Sequence, residues 1–399
     1  MVTQAKHLES SWVRVDSEHV RRVFRRAPWA PLQFPSTGFE VVPESMVLEE
    51  EFFEAFKKGD FYPVDIGDLF ASNKYQVVGK LGFGSTSTVW LARNLQKHSY
   101  VALKIYTRDH GETCRNEFQI CKAIGKAKLF HRGHWYLRTA LDMFTIERRG
   151  GEPHYCLVQE PMWDTWQDLL LRNKTGRFSQ AVLKGGLQHL LRALDFLHTK
   201  CKLVHTDIKA DNILHAIADM DILKDFVTSQ LEAPSPRKHV STEKGTTVPV
   251  YASRRFGMPK DWGQVVLSDF GAAYRAPEVM LGAKWSYPID ISNVGCLIWD
   301  VFEGRHLFNS KDPVEKKYTT RAHLAEVVGL LGPPPLDLLE RGVRSEEFFS
   351  EDDVPIPQDS TAMFLNFVRG MLAWRPEDRK TARELLKDPW LNTWEDIPD

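Results

Sequence analysis

Apolar positions along the chain fall into two regimes. From Tyr75 they come in short β-branched and aromatic runs, "YQVVGKLG", "STVWLAR" and "YVALKIY", parted by turn or polar residues, which predicts three antiparallel strands. In "GETCRNEFQICKAIGK", Phe118, Cys121 and Ile124 recur at a spacing of three, which predicts a helix stopped by Gly125. "HYCLVQEPM" reads as a further strand that runs into proline. The regime then changes. "FSQAVLKGGLQHLLRALDFLHTK" sets Leu183, Leu187, Leu190, Leu191, Leu194 and Leu197 on one stripe, the signature of a buried helix, and helical patterns dominate beyond it. A small antiparallel sheet with one main helix, then a larger helical part, predicts an α+β chain of two lobes rather than an alternating βαβ fold.

Around this frame, residues 1 to about 45 have mixed charge, several prolines and no sustained period, and read as a loosely structured extension. Residues 46–74 form a lead-in, 75–162 the first lobe and the connection out of it, and 163–399 the second lobe. Asp269 stands 57 positions after Asn212, across a stretch that includes "EAPSPRKHVSTEKGTT", so about 216–262 reads as an insertion. "GPPPLDLLERG" is a proline-broken loop in a later helical region, and no internal repeat is visible.

Composition narrows the class without changing the frame. The 399 residues are 43% apolar and 26% charged, with 53 acids against 52 bases, the balance of a soluble globular protein. Neither nucleic acid nor an anionic membrane is suggested as a direct partner. Five cysteines, Cys114, Cys121, Cys156, Cys201 and Cys296, are odd in number and form no C-x-x-C pair, which argues for buried thiols in a reducing compartment. No apolar run of about 18 residues predicts a membrane span. The arginine-rich "VRRVFRRAPW" resembles part of a mitochondrial presequence, but Glu9, Asp16 and Glu18 argue against one.

Candidate chemistry lies in five phrases. "LGFGSTSTVWLA" carries Gly82 and Gly84, with Leu81 before them and Ser87 and Val89 after, a glycine hairpin whose bare backbone can lie close over phosphates. "VALK" carries Ala102 and ends in Lys104, whose ammonium can reach phosphates if an anion fixes it. Glu117 is the expected anion, since Glu112 nearer the helix start suits the helix dipole instead. "LVHTDIKADNIL" supplies Asp207 to accept a hydroxyl proton, Lys209 to neutralise charge on a transferred phosphoryl, and Asn212 to hold magnesium. "VVLSDFG" places Asp269 as a second magnesium ligand, and one or two carboxylates suffice for that ion. "APE" follows almost at once, at Ala276 to Glu278.

In this order, from about Tyr75 to Trp394, the phrases resemble the eukaryotic protein kinase superfamily. "GDFYPVDIGDLF" before the sheet, the substituted glycine loop, "HTDIKADNIL" and the long insertion before "SDFG" narrow the resemblance to the SR-protein kinase family, especially its fungal branch. The resemblance implies a bilobal kinase fold and ATP with Mg2+ as cofactors. It also implies a serine/threonine kinase acting on arginine-serine-rich proteins, a monomer of cytoplasm and nucleus. It places Gln159 at the gatekeeper, with Glu160 to Met162 at the adenine edge. It pairs Glu278 with Arg379, and gives Asp290 the task of bracing the catalytic loop.

Two departures from the family pattern carry consequences. Thr206 stands where many kinases have an arginine that binds a phosphate on the activation segment, so phosphorylation there is not the expected switch. Only Ala272 to Arg275 separate Asp-Phe-Gly from Ala-Pro-Glu, where active relatives have a long segment that carries the protein substrate. The nine steps from Asp269 to Glu278 can span roughly 30 Å if extended, so the fold can close while peptide recognition suffers. The alternative expectation is therefore a nucleotide-binding pseudokinase or scaffold. "SEEFFSEDD", from Ser345, reads as a solvated loop.

Overall fold

The computed structural model describes residues 27–127, 131–147, 152–270, 276–349 and 363–393. Ala272 to Arg275, most of the arginine-rich opening and the end of the acidic stretch lie outside them.

The first lobe is built on a six-stranded antiparallel sheet in the order β1-β2-β3-β4-β6-β5. Its strands are β1 (Leu69–Phe70), β2 (Tyr75–Phe83), β3 (Ser87–Asn94), β4 (Ser99–Tyr106), β5 (Ala140–Ile146) and β6 (His154–Gln159). Helix α1 (Gly111–Ala127) packs on it and buries Cys114, Glu117, Cys121 and Ile124, a stripe spaced by three and four residues. Gly125 does not stop this helix. Its φ is not left-handed, so it forms no glycine cap, and the helix continues to Ala127. Phe118, expected on the buried face, is only partly covered, because the stripe runs through Glu117 instead.

Glu160 and Pro161 lead from β6 into β7 (Met162–Thr165) and the second lobe. There β7 joins β8 (Ile213–Ile217) and β11 (Trp262–Leu267) in a small sheet of order β11-β8-β7. Helix α2 (Trp166–Arg172) opens with a capping box between Thr165 and Asp168. Helix α3 (Gln180–Phe196) is capped by the Ser179 side chain, and the six stripe leucines are at most 1% exposed. Each contributes on the order of 2 kcal/mol by leaving water. They meet α5 (Pro288–Glu303), itself buried along most of its length.

The insertion is folded. Its helix α4 (Asp221–Glu232) and the hairpin β9 (Arg237–Ser241)–β10 (Thr247–Tyr251) pack on the first lobe. At Gly79 on β2 a side chain would collide with Gln230 and Phe226 of α4, so glycine permits that close approach. With α4 on one face and the lobe core on the other, β2 is buried continuously from Tyr75 to Lys80 and shows no alternation.

Lys80, fully buried, joins three parts of the chain. Its ammonium contacts Glu49 at 2.7 Å, Glu50, and the Tyr251 carbonyl at 3.0 Å, while its own carbonyl accepts from the Arg254 amide. Part of the extension is also docked, from Trp29 to Leu32, where loose structure was expected. Trp29 stacks on His98 and lies under the Arg93 guanidinium, and Leu32 exchanges two hydrogen bonds with the Gln76 amide. Among the described residues, no helix is long and apolar enough to cross a membrane.

Candidate active site

Lys104 sits on β4 in register with Val89 on β3, which pairs in turn with Gly82 on β2. A side-chain carbon at Gly82 would meet nothing within 4 Å, and one at Gly84 only the Ser87 carbonyl at 4.0 Å. Packing therefore does not demand these glycines; they leave the hairpin backbone bare. Leu81 and Val89 are partly buried beside it, Ser87 starts β3, and Ala102 is fully buried two residues before Lys104.

The Lys104 ammonium lies 3.2 Å from Glu117 and 2.6 Å from Asp269. Burial alone would push its pKa down, but the Asp269 and Glu117 carboxylates, with Tyr106, hold it well above its ordinary value. Asp269 is held below the usual carboxylate range: burial opposes ionisation, and Lys104, Arg138 and His205 overcome it. Its φ of 58° is the left-handed region, uncommon for a non-glycine residue. Glu112, the other acid of α1, is exposed and makes no contact with Lys104 among the described residues.

Tyr106 completes this cluster, and sequence reasoning missed it. Two residues beyond Lys104 on the same strand, it faces the same side. Its hydroxyl donates to the Glu117 oxygen that Lys104 also reaches, and its ring lies 5.1 Å from the Lys104 ammonium. Burial is the first cause of a pKa raised far above that of an ordinary phenol, so the hydroxyl stays a donor. The strand alternation, read through Lys104, was the available signal.

Below the cleft, the loop from His205 to Asn212 is fixed by Asp290 of α5. Its two carboxylate oxygens accept the amides of His205 and Thr206, each at 2.8 Å, and one also contacts His198. Those bonds support Thr206 at a φ of 73°, strained for a β-branched residue. His205 donates from Nε2 to the Ser268 carbonyl and accepts the Asp207 amide at Nδ1; burial lowers its pKa, which suits this neutral tautomer. Phe270 packs against the His205 ring.

Asp207 thereby stands on a held backbone. Its Oδ2 accepts from Asn212 Nδ2 at 2.8 Å and contacts the Lys209 ammonium at 3.0 Å. Asn212 Nδ2 also donates to the Asp207 carbonyl, which leaves Oδ1 of the amide for a cation. Among the described residues, no group of three or more His, Cys, Asp or Glu forms a metal cage. Magnesium held by Asn212 and Asp269 would take its remaining oxygens from phosphate or water.

At the lobe connection, Gln159 is 1% exposed; its Nε2 lies 3.5 Å from Glu117, and its Oε1 is buried without a partner among the described residues. The Glu160 carbonyl accepts two bonds from the Arg138 guanidinium, and Met162 is buried. No sequence signal pointed to Arg138. Farther off, Glu278 and Arg379 form a fully buried bidentate pair at 2.7 and 2.8 Å.

Comparison with known proteins agrees with this arrangement. Residues 75–391 match the family described as "Protein kinase domain". A serine/threonine protein kinase of Aspergillus fumigatus is 37% identical over 404 residues, covering 93% of this chain and 97% of its own. The serine/threonine-protein kinase SRPK of Physarum polycephalum is 27% identical, covering 86% of this chain and 91% of its own. SRSF protein kinase 3 of Sus scrofa is 34% identical over a shorter stretch, 49% of this chain and 35% of its own. A crystal structure of a kinase domain superposes with a TM-score of 0.62 at 20% identity, over 84% of this chain and 100% of that one, which shows the shared bilobal fold. With a glycine hairpin, a paired strand lysine and a braced Asp-x-Lys-x-x-Asn loop closing on one cleft, the chain belongs to the protein kinase family of ATP-dependent enzymes.

Proposed function

We propose that this chain is a serine/threonine protein kinase of SR-protein-kinase type, which uses ATP and Mg2+ and phosphorylates serines in arginine-serine-rich proteins. The observation that carries the reading is the meeting of Lys104, Glu117 and Asp269 in the cleft above Asp207, Lys209 and Asn212. The residues fit a magnesium nucleotide: the hairpin backbone is bare at Gly82 and Gly84, and Gln159 Oε1 is a buried acceptor awaiting a donor.

ATP supplies the transferable phosphoryl group when bound. Lys104 orients phosphate oxygens, held by Glu117 on one side. Asn212 and Asp269 hold the metal. Asp207, kept in place by the Asn212 amide, accepts or orients the serine hydroxyl proton at its carboxylate. Lys209, 42% exposed at its side chain, lies close enough to Asp207 to stabilise charge where the hydroxyl attacks. Glu160 to Met162 meet the edge of the base. The names of the Physarum and mammalian relatives support the substrate class, with splicing regulation as its setting.

The short link between Gly271 and Ala276 favours a second reading, a nucleotide-binding scaffold with little transfer activity. One experiment separates the two. This chain is compared with a version carrying a relative's full activation segment between Gly271 and Tyr274, on an arginine-serine peptide, with ATP affinity measured in parallel. A large gain in transfer at unchanged affinity supports a kinase limited by substrate alignment, since misplacement by about 1 Å can cost around a hundredfold. High activity in both shows that the short segment suffices. No transfer by either version leaves the scaffold.

A further inference from the structure

Arg138 enters the cleft from the turn before β5, two residues ahead of Ala140, which is the register partner of Gln159. Its amide bonds to the carbonyl of Leu267, close to Asp269, so its backbone is tied to the cleft's lower wall. Its Nε and Nη2 donate to the Glu160 carbonyl at 3.1 and 2.8 Å. A backbone carbonyl has two lone pairs, and these two bonds fill both. Among the described residues, no carboxylate lies within ion-pair distance of Arg138. The guanidinium is therefore held by hydrogen bonds to the Glu160 carbonyl, with Asp269 and Glu117 acting on it only at longer electrostatic range, and its remaining donors have no partner among the described residues.

Chemically, the cleft edge then presents an unusual pair. Glu160, the acceptor that would read an amino group, is occupied by a donor-rich side chain. Gln159 Oε1, at the end of β6, is a buried acceptor with no partner among the described residues. One group suits a donor on the base and the other an acceptor. A 6-amino purine can satisfy the amide oxygen; a 6-oxo purine can accept from the guanidinium.

We propose that Arg138 and Gln159 determine base specificity together, so that the cleft takes 6-oxo purine nucleoside triphosphates as readily as 6-amino ones. This rests on the kinase reading, which brings the base to Glu160.

The test is calorimetric binding of ATP and of ITP, each with magnesium; ITP presents a 6-oxo group and a protonated N1 where ATP presents a 6-amino group and an unprotonated N1, and the two share sugar and triphosphate. Wild-type protein binds them within about threefold of each other. Arg138→Val shifts the ratio about tenfold toward ATP, the size of one hydrogen bond lost and one acceptor freed. Gln159→Leu shifts it about tenfold toward ITP. Damage to the fold weakens both nucleotides alike, so the opposite shifts distinguish specificity from stability. Arg138→Lys, which keeps the charge without the fork, gives an intermediate ratio and serves if the valine variant does not fold. A wild-type preference for ATP above tenfold, unmoved by either variant, overturns the proposal and leaves the kinase reading intact. Failure of wild-type protein to bind either nucleotide overturns both.

Discussion

The Tyr106 hydroxyl donates to the same carboxylate oxygen of Glu117 that the Lys104 ammonium reaches at 3.2 Å, while Lys104 lies closer, at 2.6 Å, to Asp269. Glu117 is buried in the apolar stripe of α1 and shares its cation with a competitor. Tyr106 is a donor that no other carboxylate claims among the described residues. Tyr106→Phe keeps the ring and removes this bond, so stability falls by about 1–3 kcal/mol. Urea unfolding measures it, and an unchanged midpoint would show that Lys104 alone satisfies Glu117.

Asp269 tests the nucleotide site directly. ATP with magnesium at about a hundred times its dissociation constant stabilises the wild-type chain by roughly 2.7 kcal/mol. Asp269→Ala abolishes the magnesium-dependent part of the thermal shift. Equal shifts with and without magnesium in wild-type protein would count against Asp269 as a metal ligand.

Glu278 and Arg379 have no exposed side-chain surface. Arg379→Ala strands a buried carboxylate and costs about 3–5 kcal/mol, whereas a double replacement by apolar residues of similar volume recovers much of the loss. Chemical denaturation of the single and double variants measures the difference. An additive double variant would show that the pair acts as two independent residues.

Glu50 gives a pH signature. Burial is the first cause of its raised pKa, against the opposing pull of Lys80. A carboxyl whose folded pKa lies above its unfolded one binds its proton more tightly when folded. Its contribution to stability is complete below about pH 4.5 and is lost as pH rises through the folded value. Glu50→Gln flattens that fall. Stability curves of wild type and variant that stay parallel from pH 4 to 7 would refute the assignment.

Activation by phosphorylation is not expected. Thr206 replaces the arginine that would clamp a phosphate, and Ala272 to Arg275 contain no serine or threonine. Phosphatase treatment therefore leaves transfer activity within about twofold of the untreated chain. A large loss traced to that segment would contradict this.

Local pattern alone determined the two-lobe order, because each element advertises itself within a few residues. The leucine stripe of α3 needs no partner to be read, and the spacing from Asp207 to Asn212 is set by one short loop. Glu117 was legible as the anion for Lys104 since a strand lysine needs one and α1 follows at once. Tertiary structure decided what depends on distant segments meeting. Lys80 reads as one polar residue in a strand until the lead-in brings Glu49 and Glu50, and the insertion brings Tyr251, to its ammonium. The fold of the insertion was hidden for the same reason, since α4 is recognisable mainly by the strand it covers at Gly79. Arg138 was invisible in the sequence because a hydrogen bond to the Glu160 carbonyl, 22 residues away, depends on backbone position and not on the type of residue that offers it.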